Sequence, residues 1–298
     1  MIWDILHRTV YEYEAPVAAS HHVARLEPRT TQFQQPQGFS LKIIPEPPVR
    51  RMRADYFGNQ LCFFSLEEVH DRLEITAGSR VWVRAQTPPD PDSSPPWEHV
   101  LRQFRDPVSP AVVEPYQFVF DSPMVQASLA SADYARESFP AEMPILAGVR
   151  DLNRRIHQDF KYDPRATTVA TPLEEVLQQR RGVCQDFAHL AIAGLRSLGL
   201  PARYLSGYLR TRPPEGKERL VGADASHAWF AVFCPGSGWV EFDPTNNLQP
   251  ADEHITVAYG RDFGDVSPVA GILTGGGSHS VTVGVDVIEV CDPVSPSN

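Results

Sequence analysis

A chain of 298 residues, 42% hydrophobic and 21% charged, has the composition of a globular protein and the length of two domains. Its formal net charge of −10 comes without the clustered lysine and arginine that phosphate binding needs, so nucleic acid is not an expected partner. No apolar run approaches a membrane span, and Met1-Ile2-Trp3-Asp4 lacks a basic segment leading into an apolar one; a cytoplasmic chain with no membrane partner is expected.

Residues 1–88 read as all β. Trp3, Ile5, His7, Thr9, Tyr11 and Tyr13 alternate onto one face of a first strand, and Phe39, Leu41 and Ile43 share a face of another. Leu73–Ala77 and Val81–Ala85 suggest two further strands, and a β-sandwich fits the set. His21-His22 has no acidic or cysteine ligand nearby, and Arg50-Arg51-Met52-Arg53 reads as a solvated strand end. Residues 89–96, within the run from Pro88 to Pro96, are too proline-rich for regular structure and predict a stiff linker.

Residues 97–298 read as mixed helix and strand. Asp121-Ser122-Pro123 signals a helix start, and Ile145, Val149, Leu152, Ile156 and Phe160 trace the core face of a helix. Thr171-Pro172-Leu173-Glu174 predicts a capped helix start, and Gly182 a positive-φ cap at that helix's end. A second helix opens near Cys184, with Phe187, Leu190, Ala191, Gly194, Leu195 and Leu198 on its buried stripe. A thiol there meets unpaired N–H groups and the helix dipole, which favour thiolate and offer a donor to an oxyanion.

Ser226–Phe233 and Trp239–Asp243 alternate on either side of a Pro235-Gly236-Ser237-Gly238 turn. A hairpin symmetric about Pro235 would set Trp229 opposite Glu241 and His227 opposite Asp243, with Cβ atoms about 5 Å apart. Cysteine, histidine and aspartate in this order supply a nucleophile, a base and a group to orient that base. Farther on, strands are expected near Ile255–Tyr259 and Val281–Val290, separated by the mobile glycine-rich loop Leu273-Thr274-Gly275-Gly276-Gly277. The four cysteines, Cys62, Cys184, Cys234 and Cys291, form no Cys-x-x-Cys pair and no His/Cys metal spacing, so neither disulfide scaffold, metal nor cofactor is expected.

The blocks Gly182-Val183-Cys184-Gln185-Asp186-Phe187-Ala188, Leu198-Gly199-Leu200-Pro201-Ala202-Arg203-Tyr204 with Ser206-Gly207-Tyr208, His227-Ala228-Trp229 and Asp243-Pro244-Thr245-Asn246 together resemble the transglutaminase-like superfamily of papain-type cysteine enzymes. Asp55-Tyr56-Phe57-Gly58-Asn59 resembles a signature of the N-terminal β-region of bacterial members. The resemblance implies an α+β fold, a papain/transglutaminase-like core of helices packed on an antiparallel sheet, preceded by the β-sandwich. It also implies Cys184 as nucleophile, His227 as general base and acid, and Asp243 as orienting carboxylate.

The expected activity is that of a cysteine protease or amidase cleaving peptide or protein amide bonds through a thioester. The alternatives are a protein-glutamine transglutaminase, in which an amine replaces water, and a non-catalytic binding module. Tyr162, or the backbone near it, is the candidate second oxyanion donor. Asp186 either contacts the helix N-terminus or organises the cleft, and Tyr208 and Trp229 are candidates to line a groove.

Overall fold

Alternation carries the first strand well past its six legible positions. In the computed structural model, which describes residues 1–105, 110–210 and 225–290, β1 runs Ile2–Ala24, with Trp3, Ile5, His7, Thr9 and Tyr13 buried on one face. β2 (Gln34–Ile44), β3 (Val49–Ala54), β4 (Gln60–Leu66) and β5 (His70–Val83) join it in an antiparallel sheet ordered β2-β5-β1-β4-β3. β5 is one strand where two were expected. Gly78, between the two expected strands, pairs with both Leu6 and Ser40, and a Cβ there would sit 3.0 Å from the Ser40 hydroxyl.

The expected all-β region is built from one hydrogen-bonded sheet curled on itself. Ile2–Glu12 pair with β5 whereas Ser20–Ala24 pair with β4, and the register shifts between Glu12 and Val17. The two arms enclose a common cluster that includes Val17, Leu41, Ile43, Phe64, Leu66, Leu73 and Ile75.

The segment that follows holds α1 (Trp97–Arg105), α2 (Val113–Tyr116), α3 (Leu129–Arg136), α4 (Ile145–Asp159), β6 (Lys161–Tyr162), α5 (Leu173–Gln179), β7 (Arg181–Gly182) and α6 (Cys184–Ser197). After these come β8 (Ala202–Leu209), β9 (Ala225–Cys234), β10 (Gly238–Phe242), β11 (His254–Gly260) and α7 (Phe263–Val266). β8 to β11 form an antiparallel sheet ordered β10-β9-β8-β11, with β11 at one edge. Ile145, Val149, Leu152 and Ile156 of α4 are fully buried, as their spacing predicts.

Three local readings are corrected. Asp121-Ser122-Pro123 opens a tight turn closed between Ser122 and Val125, and the following helix, α3, is capped by Ser128, whose hydroxyl accepts from Ser131 N. Thr171 does not cap α5; its hydroxyl accepts from Thr168 N, and the helix begins after Pro172. The proline-rich run contains a short 3₁₀ turn, Pro91–Ser93, and is stitched to α4, because Ser94 Oγ accepts from Leu146 N and Pro95 O from Ile145 N.

The C-terminal strands, expected with the catalytic segment, pair with β1. β12 (Val269–Gly275) lies along Val17–Ala24 and β13 (His279–Glu289) along Trp3–Tyr13. Gly275, Gly276 and Gly277, all at positive φ, form the bend between them opposite the bend of β1. Ala15 N donates to Gly276 O and Gly276 N to Pro16 O, so the glycines are a pinned bulge and not a mobile loop. Trp3, Ile5, Val81, Val83, Val285 and Val287 of the curled sheet share one apolar core with Val149 and Ile156 of α4 and Phe187, Leu190 and Leu195 of α6.

Candidate active site

Cys184 is the first residue of α6, and the turn before it is shaped by Asp186. The Asp186 carboxylate accepts from Val183 N at 2.8 Å and from the Thr167 hydroxyl at 2.6 Å, reaching back over the helix start. Burial pushes its carboxyl up, opposed by these two hydrogen bonds. Gly182 is needed here for space: a Cβ would lie 2.6 Å from Asp186 Oδ2. The left-handed residue ending α5 is Arg180, at φ 54°, not Gly182. The helix-end reading of Asp186 is therefore the one its contacts support.

His227 and Asp243 meet, although by a register different from the symmetric hairpin. Gly236 and Gly238 both take positive φ, Phe242 pairs with Phe230, and Glu241 pairs with Ala231 instead of Trp229. The slip is two residues, and an even slip returns every side chain to the same face. His227 Nε2 lies 2.8 Å from Asp243 Oδ2, and Cys184 is near enough to the same imidazole to favour its protonated form. Burial alone would lower the His227 pKa; the hydrogen bond to Asp243, and then Cys184, override it and raise it to about 10.

Asp243 is fully buried and saturated with donors. Oδ1 accepts from Thr245 N at 2.9 Å and Asn246 N at 3.1 Å, which explains the Asp-Pro-Thr-Asn block, and Asn246 Nδ2 donates to Oδ2 at 2.8 Å. His254 Nε2 lies 3.0 Å from the same Oδ2. Burial opposes ionisation, but His227 and His254 hold the carboxyl well below the usual carboxylate range. His254 was not legible in the sequence: it opens an apolar strand and belongs to no motif.

The weaker candidates divide. Tyr162 is half exposed at the end of β6, beside Gly182 of β7, and its phenol pKa is raised by burial and then by the charge of Cys184. Trp229 is on the site but lines no groove. It is fully buried, stacks on His227 with ring centroids 6.0 Å apart, meets His254 edge-on at 5.1 Å, and donates to Glu241 at 2.7 Å. Tyr208 is not brought to the cleft. Its neighbour Gly207 pairs with His227, so Tyr208 takes the opposite face of β8, where its buried hydroxyl lies 3.0 Å from His7 Nδ1.

His227, Asp243 and His254 are the described residues whose ligand atoms could hold a metal, all within 4.8 Å of one another. Both imidazole Nε2 atoms are already spent on Asp243 Oδ2. Cys62 and Cys234 are free and buried, and Cys291 lies outside the described residues. Among the described residues no helix is long and apolar enough to cross a membrane.

The Asp55–Asn59 block acts at the edge of the site's sheet. Asp55 Oδ1 accepts from Phe57 N and Asn59 N, both at 2.9 Å, around Gly58 at φ 75°. The turn presents Asn59, whose side-chain amide donates to Tyr259 O at 2.9 Å and accepts from Tyr259 N at 3.0 Å. Gln34 does the same at Thr256, with both bonds 2.8 Å. Two amide side chains thus stand in for a neighbouring strand along β11.

This helix-on-sheet fold, with a cysteine heading the helix and a histidine and aspartate on the sheet, is that of the papain-type cysteine enzymes. Residues 132–244 match the model of the transglutaminase-like superfamily and residues 3–82 that of the bacterial transglutaminase-like N-terminal region. The chain belongs to the transglutaminase-like superfamily. It is 40% identical over 294 residues to Rv2569c of Mycobacterium tuberculosis, an uncharacterized protein, covering 96% of this chain and 92% of that one. A 124-residue stretch is 32% identical to a protein-glutamine gamma-glutamyltransferase of Pseudomonas aeruginosa, covering 41% of this chain and 18% of the relative. A Cytophaga hutchinsonii crystal structure with a provisional cysteine-protease assignment shares the fold, with TM-score 0.75, 22% identity and coverage of 99% of this chain and 93% of that one.

Proposed function

We propose that the chain is a cysteine hydrolase of peptide or protein amide bonds, with Cys184 as nucleophile, His227 as general base and acid, and Asp243 as orienting carboxylate. The observation that carries this reading is His227 itself, held by Asp243 at 2.8 Å and near enough to Cys184, the first residue of α6, for the thiol to raise its pKa. With Nε2 on Asp243, Nδ1 is left for the sulfur. Cys184 sulfur bonds to the carbonyl carbon, the C–N bond breaks, and His227 gives its proton to the leaving amine. Water, deprotonated by His227, then attacks the thioester carbonyl; the C–S bond breaks and the acid leaves. The Cys184 N–H, one of the first-turn donors without an intrahelical partner, and Tyr162 are the oxyanion donors in this scheme.

Water is favoured as acceptor because a thioester kept for an amine needs apolar walls over the sulfur. Trp229 is packed beneath His227, and Trp239 is engaged by Phe118, Phe233 and Arg203. The match to a gamma-glutamyltransferase supports a second reading, transfer to an amine. Incubation with casein and a labelled primary amine separates the two. New peptide termini, or glutamate formed from glutamine, that vanish in Cys184→Ala support hydrolysis, whereas amine incorporated at glutamine without new termini or deamidation supports transfer, ammonia being released from glutamine in either case.

A further inference from the structure

We infer that His254 is a positioning residue for this reaction, which fixes the Asp243 carboxylate and through it the ring of His227. The inference rests on the proposed role of Cys184 and His227 and adds to it a group that no sequence block contains. Asp243 follows directly on the end of β10, in a turn closed onto Leu248 by two backbone hydrogen bonds. Its Oδ1 is held by N–H groups of that same turn, which orient the carboxyl relative to the turn but not relative to the rest of the sheet. His254 supplies the missing reference from the far edge, because β11 lies beyond β8 and β9 in the sheet.

The ring of His254 is itself constrained. It is buried, Trp229 meets it edge-on, and the indole is locked by its bond to Glu241. Trp229 also stacks on His227, so one indole sets the planes of both imidazoles that converge on Asp243 Oδ2. The strand carrying His254 is clamped on its outer side by Gln34 and Asn59. Through this route the curled N-terminal sheet, which places no side chain on the described triad, takes part in its alignment.

The test compares His254→Gln with His254→Asn in the full chain. The glutamine amide nitrogen reaches the position of the imidazole Nε2, and the shorter asparagine does not. The rate of Cys184 alkylation by limiting iodoacetamide at neutral pH is followed by mass spectrometry beside the thermal midpoint of each variant. His254→Gln is expected within about twofold of the parent and His254→Asn slower by about tenfold, the lower end of what losing an orienting partner costs. Folded variants that both alkylate at the parental rate, or that both slow equally, would overturn the role, since neither pattern follows the donor at Asp243. A parent whose Cys184 reacts no faster than in His227→Ala would remove the thiol–imidazole pair on which the inference stands. Failure of amide cleavage with the alkylation pattern intact would overturn the hydrolase reading and leave the positioning role standing.

Discussion

Gly182 lies against Asp186 so closely that a single added methyl group would stand 2.6 Å from Oδ2. The same oxygen holds Val183 N and the Thr167 hydroxyl, so the glycine two residues before the thiol is what lets a carboxylate fold back over the helix start. Gly182→Ala should displace Asp186, free two buried donors and reposition Cys184. A loss of about 1–3 kcal/mol in unfolding free energy is expected for the broken bonds, with slower Cys184 alkylation, read from denaturant melts and labelling rates.

Reactivity should be sharply uneven among the described cysteines. Burial raises the thiol pKa of both Cys62 and Cys234, and both are closed to solvent, whereas Cys184 is partly exposed beside a cationic imidazole. Limiting iodoacetamide near pH 7 is expected to label Cys184 well before the other two. Peptide mapping that finds the three labelled together would contradict the arrangement.

The charge on His227 predicts a pH dependence of stability. Its pKa rises from 6.5 to about 10 on folding, so the folded state binds this proton more tightly. The stabilisation is complete below pH 6.5, declines as the pH rises above it, and is gone beyond about 10. The difference in unfolding free energy between parent and His227→Gln should shrink between pH 7 and pH 10. A difference that grows across that window would reverse the assigned sign.

Asp243→Asn tests the orienting carboxylate. An amide at this position keeps the volume but turns one of the two oxygens into a donor facing N–H groups. Turnover is expected to fall by at least about a hundredfold, in line with the large loss when a triad carboxylate becomes an amide. Near-parental hydrolysis by a folded variant would exclude Asp243 from the machinery.

Gln34→Leu tests the clamp on β11. Thr256 N would lose its buried partner while Thr256 O keeps Arg29 N, at an expected cost of about 1–3 kcal/mol for the donor left unsatisfied. Slower Cys184 alkylation should accompany the lowered denaturation midpoint, because the strand that carries His254 is the one released. An unchanged midpoint would show that β11 needs no partner on that side.

The amino-acid sequence by itself determined what local chemistry can encode. A helix start at Cys184, strands around His227 and before Asp243, the buried stripe of α4 and the inward face of β1 follow from periodicity and punctuation within a few turns of chain. The hairpin register was off by two residues because two positive-φ glycines lengthen the turn, yet the face was right, since an even slip preserves it. Tertiary structure alone decided the rest. Trp229 and Tyr208 read alike as strand aromatics, and only the pairing of Gly207 with His227 sends one beneath the imidazole and the other to His7. The C-terminal strands lie on β1, some 270 residues away in sequence, because backbone pairing leaves no composition signal to say which edge a strand will join. His254 reaches Asp243 for the same reason: two strands that never pair bring their side chains to one oxygen, and that meeting exists only once the sheet has formed.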